Sequence, residues 1–383
     1  MRNIRVLVFS ATYGAGHERA AQAVIEEIGM QSPNAEITHL DCGVLLSRTF
    51  NTIIKSTYLG MIKHTPKLWG KFYYDTARIS PDSKLQIILN NMGKSGIIKY
   101  INDLRPDLII CTYPTIAGVL AQLRLRHIID VPLVTVVTDY TVHSQWIHKG
   151  VDLYIVGCRD VYRGFVDRGI DSESIRITGI PVSPRFEAEV NREEIMDRLG
   201  LIPELPTILI MGGAYGVISN PKGICQVIAD MALPSQAIVV CGHNRKLYQS
   251  LEEIVENSRN PIMRFGFVNN IEELMTVSDL MVTKAGGLIV SEALTKRLPL
   301  LIFKPIPGQE EENTKFIRKM GAGIAVNSLK TLEKTVYDLL EHPDKLEKMS
   351  QAASRAWTER SAERAVNHML QLVDSTPAKV QMG

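Results

Sequence analysis

The stretch from Asp279 to Asn313, DLMVTKAGGLIVSEALTKRLPLLIFKPIPGQEEEN, constrains the fold more than any other part of the chain. Leu280 to Val282 is a short apolar run of strand length. Ala285, Gly286 and Gly287 form a turn without bulk, Leu288 to Lys296 reads as a helix, and Pro299 to Phe303 is the next strand. The Gly-Gly turn lets a ligand approach bare main-chain N–H groups, and a helix N-terminus favours negative charge, which suits a diphosphate. Glu292 lies about one turn into the helix, where a carboxylate can accept from two neighbouring sugar hydroxyls. Gln309 and Glu310, beyond the second strand, can hold several more hydroxyls. Phosphate, ribose and hexose are thus served in chain order, as a nucleotide-sugar site requires. Spacing alone leaves an alternative open: an ordinary βαβ unit with a glycine turn and an acidic exposed loop, since such turns are common in α/β folds.

The same alternation recurs along the chain. Ile4 to Phe9 reads as a buried strand, followed by the loop Ser10 to Glu18 (SATYGAGHE) and a helix from Arg19 to Ile28. Leu108 to Thr112 and Leu133 to Val137 are strands on either side of a helix from Ala117 to Arg126. Both end in polar residues, Thr112 with Tyr113 and Thr138 with Asp139, at the carboxyl ends that line the ligand crevice of an open parallel sheet. Asp152 to Val156 and Ile175 to Thr178 add two strands before the stiff, non-helical connector Gly179 to Pro184 (GIPVSP). The alternation then restarts. Thr207 to Met211 is a strand, and Gly212 and Gly213 open a second phosphate-compatible turn that extends to Gly216 before a helix to about Met231. Ala237 to Val240 is followed by Cys241 to Asn244, and Phe265 to Val268 precedes a helix from Ile271 to Val277. The tail from Leu332 is helical. These 383 residues predict an α/β chain of two Rossmann-like domains, with the boundary near Pro184.

Other readings are narrowed by composition. The net charge of +2 is too small to imply nucleic acid. Cys42, Cys111, Cys158, Cys225 and Cys241 are scattered without C-x-x-C spacing, as reduced cytoplasmic thiols are, so neither a disulfide frame nor a zinc site is expected. No run approaches the roughly 18 apolar residues of a spanning helix, and Ile4 to Phe9 is too short for a signal peptide. A dinucleotide fingerprint at Gly14-Ala15-Gly16 lacks its third glycine, because Arg19 stands there, although Asp41 ends a plausible second strand. Val44 to Tyr100 differs in character: it is helical and basic, with Lys55, Lys63, Lys67 and Lys71 interleaved with Trp69, Phe72 and Tyr73. Basic and aromatic residues on amphipathic helices compose a segment lying on an anionic bilayer; the alternative is two core helices with solvated lysines.

At Thr283, Lys284, Gly286, Gly287 and Glu292, then Pro307, Gly308, Gln309, Glu310 and Asn313, the chain resembles the processive diacylglycerol glucosyltransferases, whose donor pattern is [TS]K-x-GG-x-x-x-x-E followed by PGQE-x-x-N. It is also similar to the plant monogalactosyldiacylglycerol synthases of glycosyltransferase family 28. A more distant similarity is to the enzyme that adds N-acetylglucosamine to lipid I, but that family's G-G-T-x-G-H loop is absent. The resemblance implies a GT-B fold, two facing Rossmann-like domains with a cleft between them. It also implies the domain link G-[IL]-P-[VI]-x-P at Gly179 to Pro184, giving an acceptor domain over 1–184, a donor domain over 185–360, and a final helix and tail over 361–383 that pack back on the first.

The resemblance further implies roles. His17, from the GxGH loop, is kept neutral by the helix start and acts as the base, with Asp139 as second choice or as an orienter of the acceptor; without the resemblance His17 reads as a capping or surface histidine. TDYTVHSQWIHKG matches TD-x-x-x-H-x-x-W-x-H, so Asp139, His143, Trp146 and His148 face the acceptor; singly, Trp146 could instead be core and His148 surface. Gly212, Gly213, Asn244, Phe267, Val268, Lys284, Gly286, Gly287, Glu292, Gln309, Glu310 and Asn313 hold the donor, with Phe267 and Val268 at the uracil edge. The expected activity is inverting transfer of glucose from UDP-glucose to 1,2-diacylglycerol or its monoglucoside, at the inner face of the cell membrane, with galactose as the alternative hexose. No metal or cofactor is expected, and the chain has no D-x-D. A UDP-sugar-binding regulator without turnover is the rival from a different class.

Overall fold

The computed structural model describes residues 3–11, 15–42, 65–76, 94–213 and 218–375. The chain forms two compact units: residues 1–184 with 307–309 and 360–383, and residues 185–306 with 310–359.

In the first unit β1 (Arg5–Ser10), β2 (Glu36–Asp41), β3 (Leu108–Cys111), β4 (Leu133–Val136), β5 (Leu153–Val156) and β6 (Ile175–Ile177) make one parallel sheet, in the order 2-1-3-4-5-6. The near-continuous apolar runs have a physical reason, because both faces are covered. Leu7, Phe9, Ile109 and Cys111 point into one core with Leu120, Trp146 and Phe165. Val6, Val8, Leu108 and Ile110 alternate into the other. The helix Ser361–Ser375 supplies Ala365, Val366, Met369 and Val373 to that second core, beside Ala21, Val24 and Ile28 of the helix Ala15–Gln31. The Ser361 hydroxyl accepts from the Val182 N–H at 3.1 Å. Strand order reverses around β1, so the crevice for chemistry opens at the carboxyl ends of β1 and β3.

The second unit repeats the plan. β7 (Thr207–Met211), β8 (Gln236–Val240), β9 (Ile262–Phe265), β10 (Leu280–Thr283), β11 (Leu300–Phe303) and β12 (Gly323–Val326) pair in parallel in the order 12-11-10-7-8-9. The reversal falls between β7 and β10. Their carboxyl ends are in register, Met211 opposite Thr283, and the Thr283 hydroxyl donates to the Met211 carbonyl at 2.7 Å.

Several boundaries differ from sequence expectation. The helix expected from Ala117 begins at Pro114, where the missing N–H of proline falls among the donors that a first turn leaves unpaired. The first helix runs from Ala15 to Gln31, so His17 lies inside its first turn. β9 and β12 were not anticipated; both are four residues long and only partly buried, and Arg264 interrupts the first while the second, GIAV, is apolar but starts on glycine and carries little bulk. Of the basic segment, the described residues include the helices Pro66–Thr76 and Lys94–Leu104. Lys55 and Lys63 lie outside the described residues, as do residues 214–216 of the second glycine turn. Among the described residues no helix is long and apolar enough to cross a membrane.

Candidate active site

In the first unit the site is built at the ends of β1, β3 and β4. His17 is half-buried in the first turn of its helix. The Thr112 hydroxyl, just past β3, donates to the His17 carbonyl at 2.9 Å. The Thr138 hydroxyl, two residues past β4, lies 3.0 Å from His17 Nδ1. Tyr113 meets the imidazole edge-on with centroids 5.3 Å apart, and the Trp146 ring stands 6.1 Å away. Burial lowers the His17 pKa, the Asp139 charge opposes it, and hydrogen bonding to the Thr112 main chain opposes it further. Burial is the largest of these effects, and it favours the neutral ring.

Asp139 is 6% exposed, and its charge is held by specific donors. Trp146 Nε1 donates to Oδ2 at 3.0 Å, and Gln309 Nε2, grouped with the first unit, donates to Oδ1. Trp146 is 2% exposed and belongs to the core, so it holds Asp139 from beneath and presents no face to an acceptor. His148 is neither at the surface nor open to an acceptor. It is 5% exposed, its Nε2 lies 2.7 Å from the Gln145 carbonyl, and burial brings its pKa down to about 4. The Tyr154 hydroxyl locks its main chain, accepting from the His148 N–H at 2.9 Å and donating to its carbonyl at 2.7 Å. That lock crosses from one strand to a loop and has no signal in the sequence.

His143 is a structural pin. Its Nδ1 accepts from the Gln145 N–H, which puts the proton on Nε2, 3.2 Å from the Tyr73 carbonyl. Its ring stacks obliquely on Tyr73 at 4.6 Å, and Ser144 Oγ donates to the Thr76 carbonyl at 2.7 Å. The helix Pro66–Thr76 is thereby held at its carboxyl end while another face stays outside. Leu68 is 57% exposed and Phe72 50%, four residues apart on one face, with Lys67 and Lys71 exposed beside them. Trp69 is half-buried and lies 5.8 Å from Phe72.

In the second unit two loops meet at the ends of β7 and β10. Gly213 adopts φ +78°, a conformation that L side chains rarely take, and the Lys284 Cε passes 3.6 Å from where its Cβ would stand. Lys284 Nζ lies 3.8 Å from a Glu310 carboxylate oxygen. Glu310 also accepts from the Ile306 N–H at 3.2 Å; burial raises its pKa, against the pull of Lys284. Gly286 precedes the helix Gly287–Thr295, and no side chain caps that terminus. Its φ of −72° is ordinary, and a Cβ there would meet only Ile289 Cγ2 at 3.5 Å, so the fold itself does not demand glycine at this position. Glu292 is 3% exposed within that helix.

Asn313 is fully buried, and its Nδ2 donates to the Ala285 carbonyl at 3.0 Å. It supports the glycine turn through that carbonyl. The Asn244 side-chain oxygen accepts from the Leu247 N–H at 3.0 Å as a helix cap. His243, next to it, was missed: it stacks on Phe267 with centroids 4.2 Å apart and planes within 11°, and Phe267 is 45% exposed. Val268 follows in the same loop. Among the described residues no group of three His, Cys, Asp or Glu side chains could hold a metal ion.

Two doubly wound units, each a six-stranded parallel sheet flanked by helices, are the fold of GT-B glycosyltransferases. The architecture matches MurG of Acinetobacter baumannii with a TM-score of 0.62 at 12% identity, covering 96% of this chain and 99% of that one. HepE of Anabaena, solved in complex with UDP-glucose, matches with a TM-score of 0.57 at 14% identity over 98% of this chain and 100% of that one. Residues 17–182 match the monogalactosyldiacylglycerol (MGDG) synthase family and residues 207–368 the glycosyltransferase family 28 C-terminal domain. Processive diacylglycerol beta-glucosyltransferase of Bacillus pumilus (strain SAFR-032) is 33% identical over 91% of this chain and 90% of the relative. Its counterpart from Bacillus mycoides (strain KBAB4) is 33% identical over 97% and 94%. The chain belongs to this family 28 group of glycolipid-forming glycosyltransferases.

Proposed function

We propose that the chain transfers glucose from UDP-glucose to 1,2-diacylglycerol with inversion, and extends the product by a second glucose. The observation that carries this is the neutral His17, held at the strand ends of the first unit by two threonine hydroxyls and facing the charge of Asp139. A lipid hydroxyl is a poor nucleophile unless a base removes its proton as it attacks. In the proposed step the acceptor oxygen forms a bond to the anomeric carbon. The bond from that carbon to the β-phosphate oxygen breaks, its electron pair leaves with UDP, and the acceptor proton goes to His17. The imidazolium so formed is stabilised by Asp139. Charge growing on the leaving diphosphate is met by the N–H groups that open the helix at Gly287, the Gly212–Gly213 turn and Lys284. The sugar and acceptor follow the naming of the curated relatives at 33% identity. The exposed face of Leu68, Phe72, Lys67 and Lys71 suits docking on an anionic bilayer, so the protein works as a peripheral enzyme on the cytoplasmic side.

His17→Ala tests the base directly. Turnover should fall by roughly two to four decades with UDP affinity nearly intact. A variant with near-normal turnover would pass the role to Asp139. We also propose that no metal takes part: activity should survive EDTA, and a loss restored by Mn²⁺ would overturn that point.

A further inference from the structure

We propose that Thr138 is a positioning residue for His17, whose hydroxyl oxygen accepts the Nδ1–H and so keeps the Nε2 lone pair bare to receive the acceptor proton. The inference deepens the assignment of His17 as base and rests on it. In the more familiar arrangement a carboxylate binds the inner nitrogen of a catalytic histidine. Here both oxygens of Asp139 receive other donors, Trp146 Nε1 on Oδ2 and Gln309 Nε2 on Oδ1, while Thr138 Oγ1 stands 3.0 Å from Nδ1. Thr138 is 3% exposed, so water does not compete for its hydroxyl. Thr112 does the complementary work, holding the His17 carbonyl at 2.9 Å. One threonine fixes where the residue sits and the other fixes which nitrogen carries the proton.

The chemistry favours a hydroxyl acceptor at this point. A threonine oxygen can accept from Nδ1–H in the neutral ring and in the imidazolium alike, so nothing needs to reorient as the proton arrives. If the hydroxyl instead donated to Nδ1, the ring hydrogen would lie on Nε2 and that nitrogen could not act as a base. Asp139 then acts through charge, without touching the ring.

The tautomer can be measured apart from activity. In the full chain with ¹⁵N-labelled histidine rings, with His17→Gln assigning the signal, wild type at neutral pH should show His17 protonated at Nδ1 and bare at Nε2. Thr138→Val, of the same shape but without the hydroxyl, should mix the tautomers. Its turnover on diacylglycerol vesicles with UDP-glucose should drop about tenfold or more at unchanged UDP affinity. Thr138→Ser should restore both. A wild-type ring protonated at Nε2, or a Thr138→Val protein with unaltered tautomer and turnover, overturns the inference. Full turnover in His17→Ala would instead defeat the base assignment while leaving the tautomer result to stand by itself.

Discussion

Asn313→Ala separates ligand contact from support in the donor turn. The Asn313 amide is fully buried and donates to the carbonyl of Ala285, which is itself fully buried, at 3.0 Å. Truncation leaves that carbonyl without a partner and without water, at a cost of about 1–3 kcal/mol. The carbonyl belongs to the turn that leads into the helix at Gly287, whose first N–H groups are proposed to meet the diphosphate. If all of the cost appears as loss of the turn's geometry, UDP affinity falls by about 5- to 150-fold, at roughly 1.4 kcal/mol per decade. Titration calorimetry with UDP gives the binding share and urea unfolding gives the remainder. Asn313→Asp should do worse than alanine, because a carboxylate oxygen then faces a carbonyl. Should stability fall by that amount while UDP affinity stays within about twofold, Asn313 only packs the core and the account of the turn is wrong.

Two further perturbations follow from burial and exposure. His148 titrates near 4, below its ordinary 6.5, so the unfolded chain binds a proton that the folded chain refuses between those values. Its stabilising contribution is fully present above pH 6.5 and is lost as pH falls toward 4, about 3 kcal/mol in all. Urea midpoints followed downward through that window should fall more steeply for wild type than for His148→Gln; parallel slopes would contradict it. On the outer face of the helix Pro66–Thr76, Leu68→Ser with Phe72→Ser, or Lys67→Ser with Lys71→Ser, should weaken sedimentation with anionic vesicles and leave UDP binding alone. Each lysine should contribute about 1 kcal/mol, fading as salt rises. Unchanged sedimentation of both pairs would move the docking surface elsewhere.

Much of the fold was legible because a parallel sheet covered on both faces needs apolar residues at every position, and Val6 to Phe9 or Leu280 to Val282 can be little else. The glycine turns were legible for a related reason, as few residue types serve where a backbone must be approached. What the sequence hid was commitment. Asn313 and Asn244 read as ligand amides in the sequence, and the hydrogen bonds they make to Ala285 and Leu247 could not be read there, because such bonds depend on the local turn and not on residue type. Trp146 and His148 look like acceptor residues until β4, β5 and the loop between them are assembled. The Tyr154 hydroxyl then seizes the His148 main chain, and the indole closes over the core to reach Asp139. Thr112 and Thr138 were recognisable as polar strand ends, but that both turn to one histidine is a consequence of β3 and β4 lying side by side.

The central claim is transfer of a hexose to a membrane diacylglycerol. It is tested most directly by incubating the purified protein with anionic vesicles containing diacylglycerol and either UDP-glucose or UDP-galactose, and identifying the lipid products by mass spectrometry and anomeric NMR. The expected result is β-glucosyl diacylglycerol, followed by the diglucoside, from UDP-glucose with little product from UDP-galactose. Transfer to a polyprenyl-diphosphate lipid with none to diacylglycerol, or UDP binding without transfer to either, would contradict it.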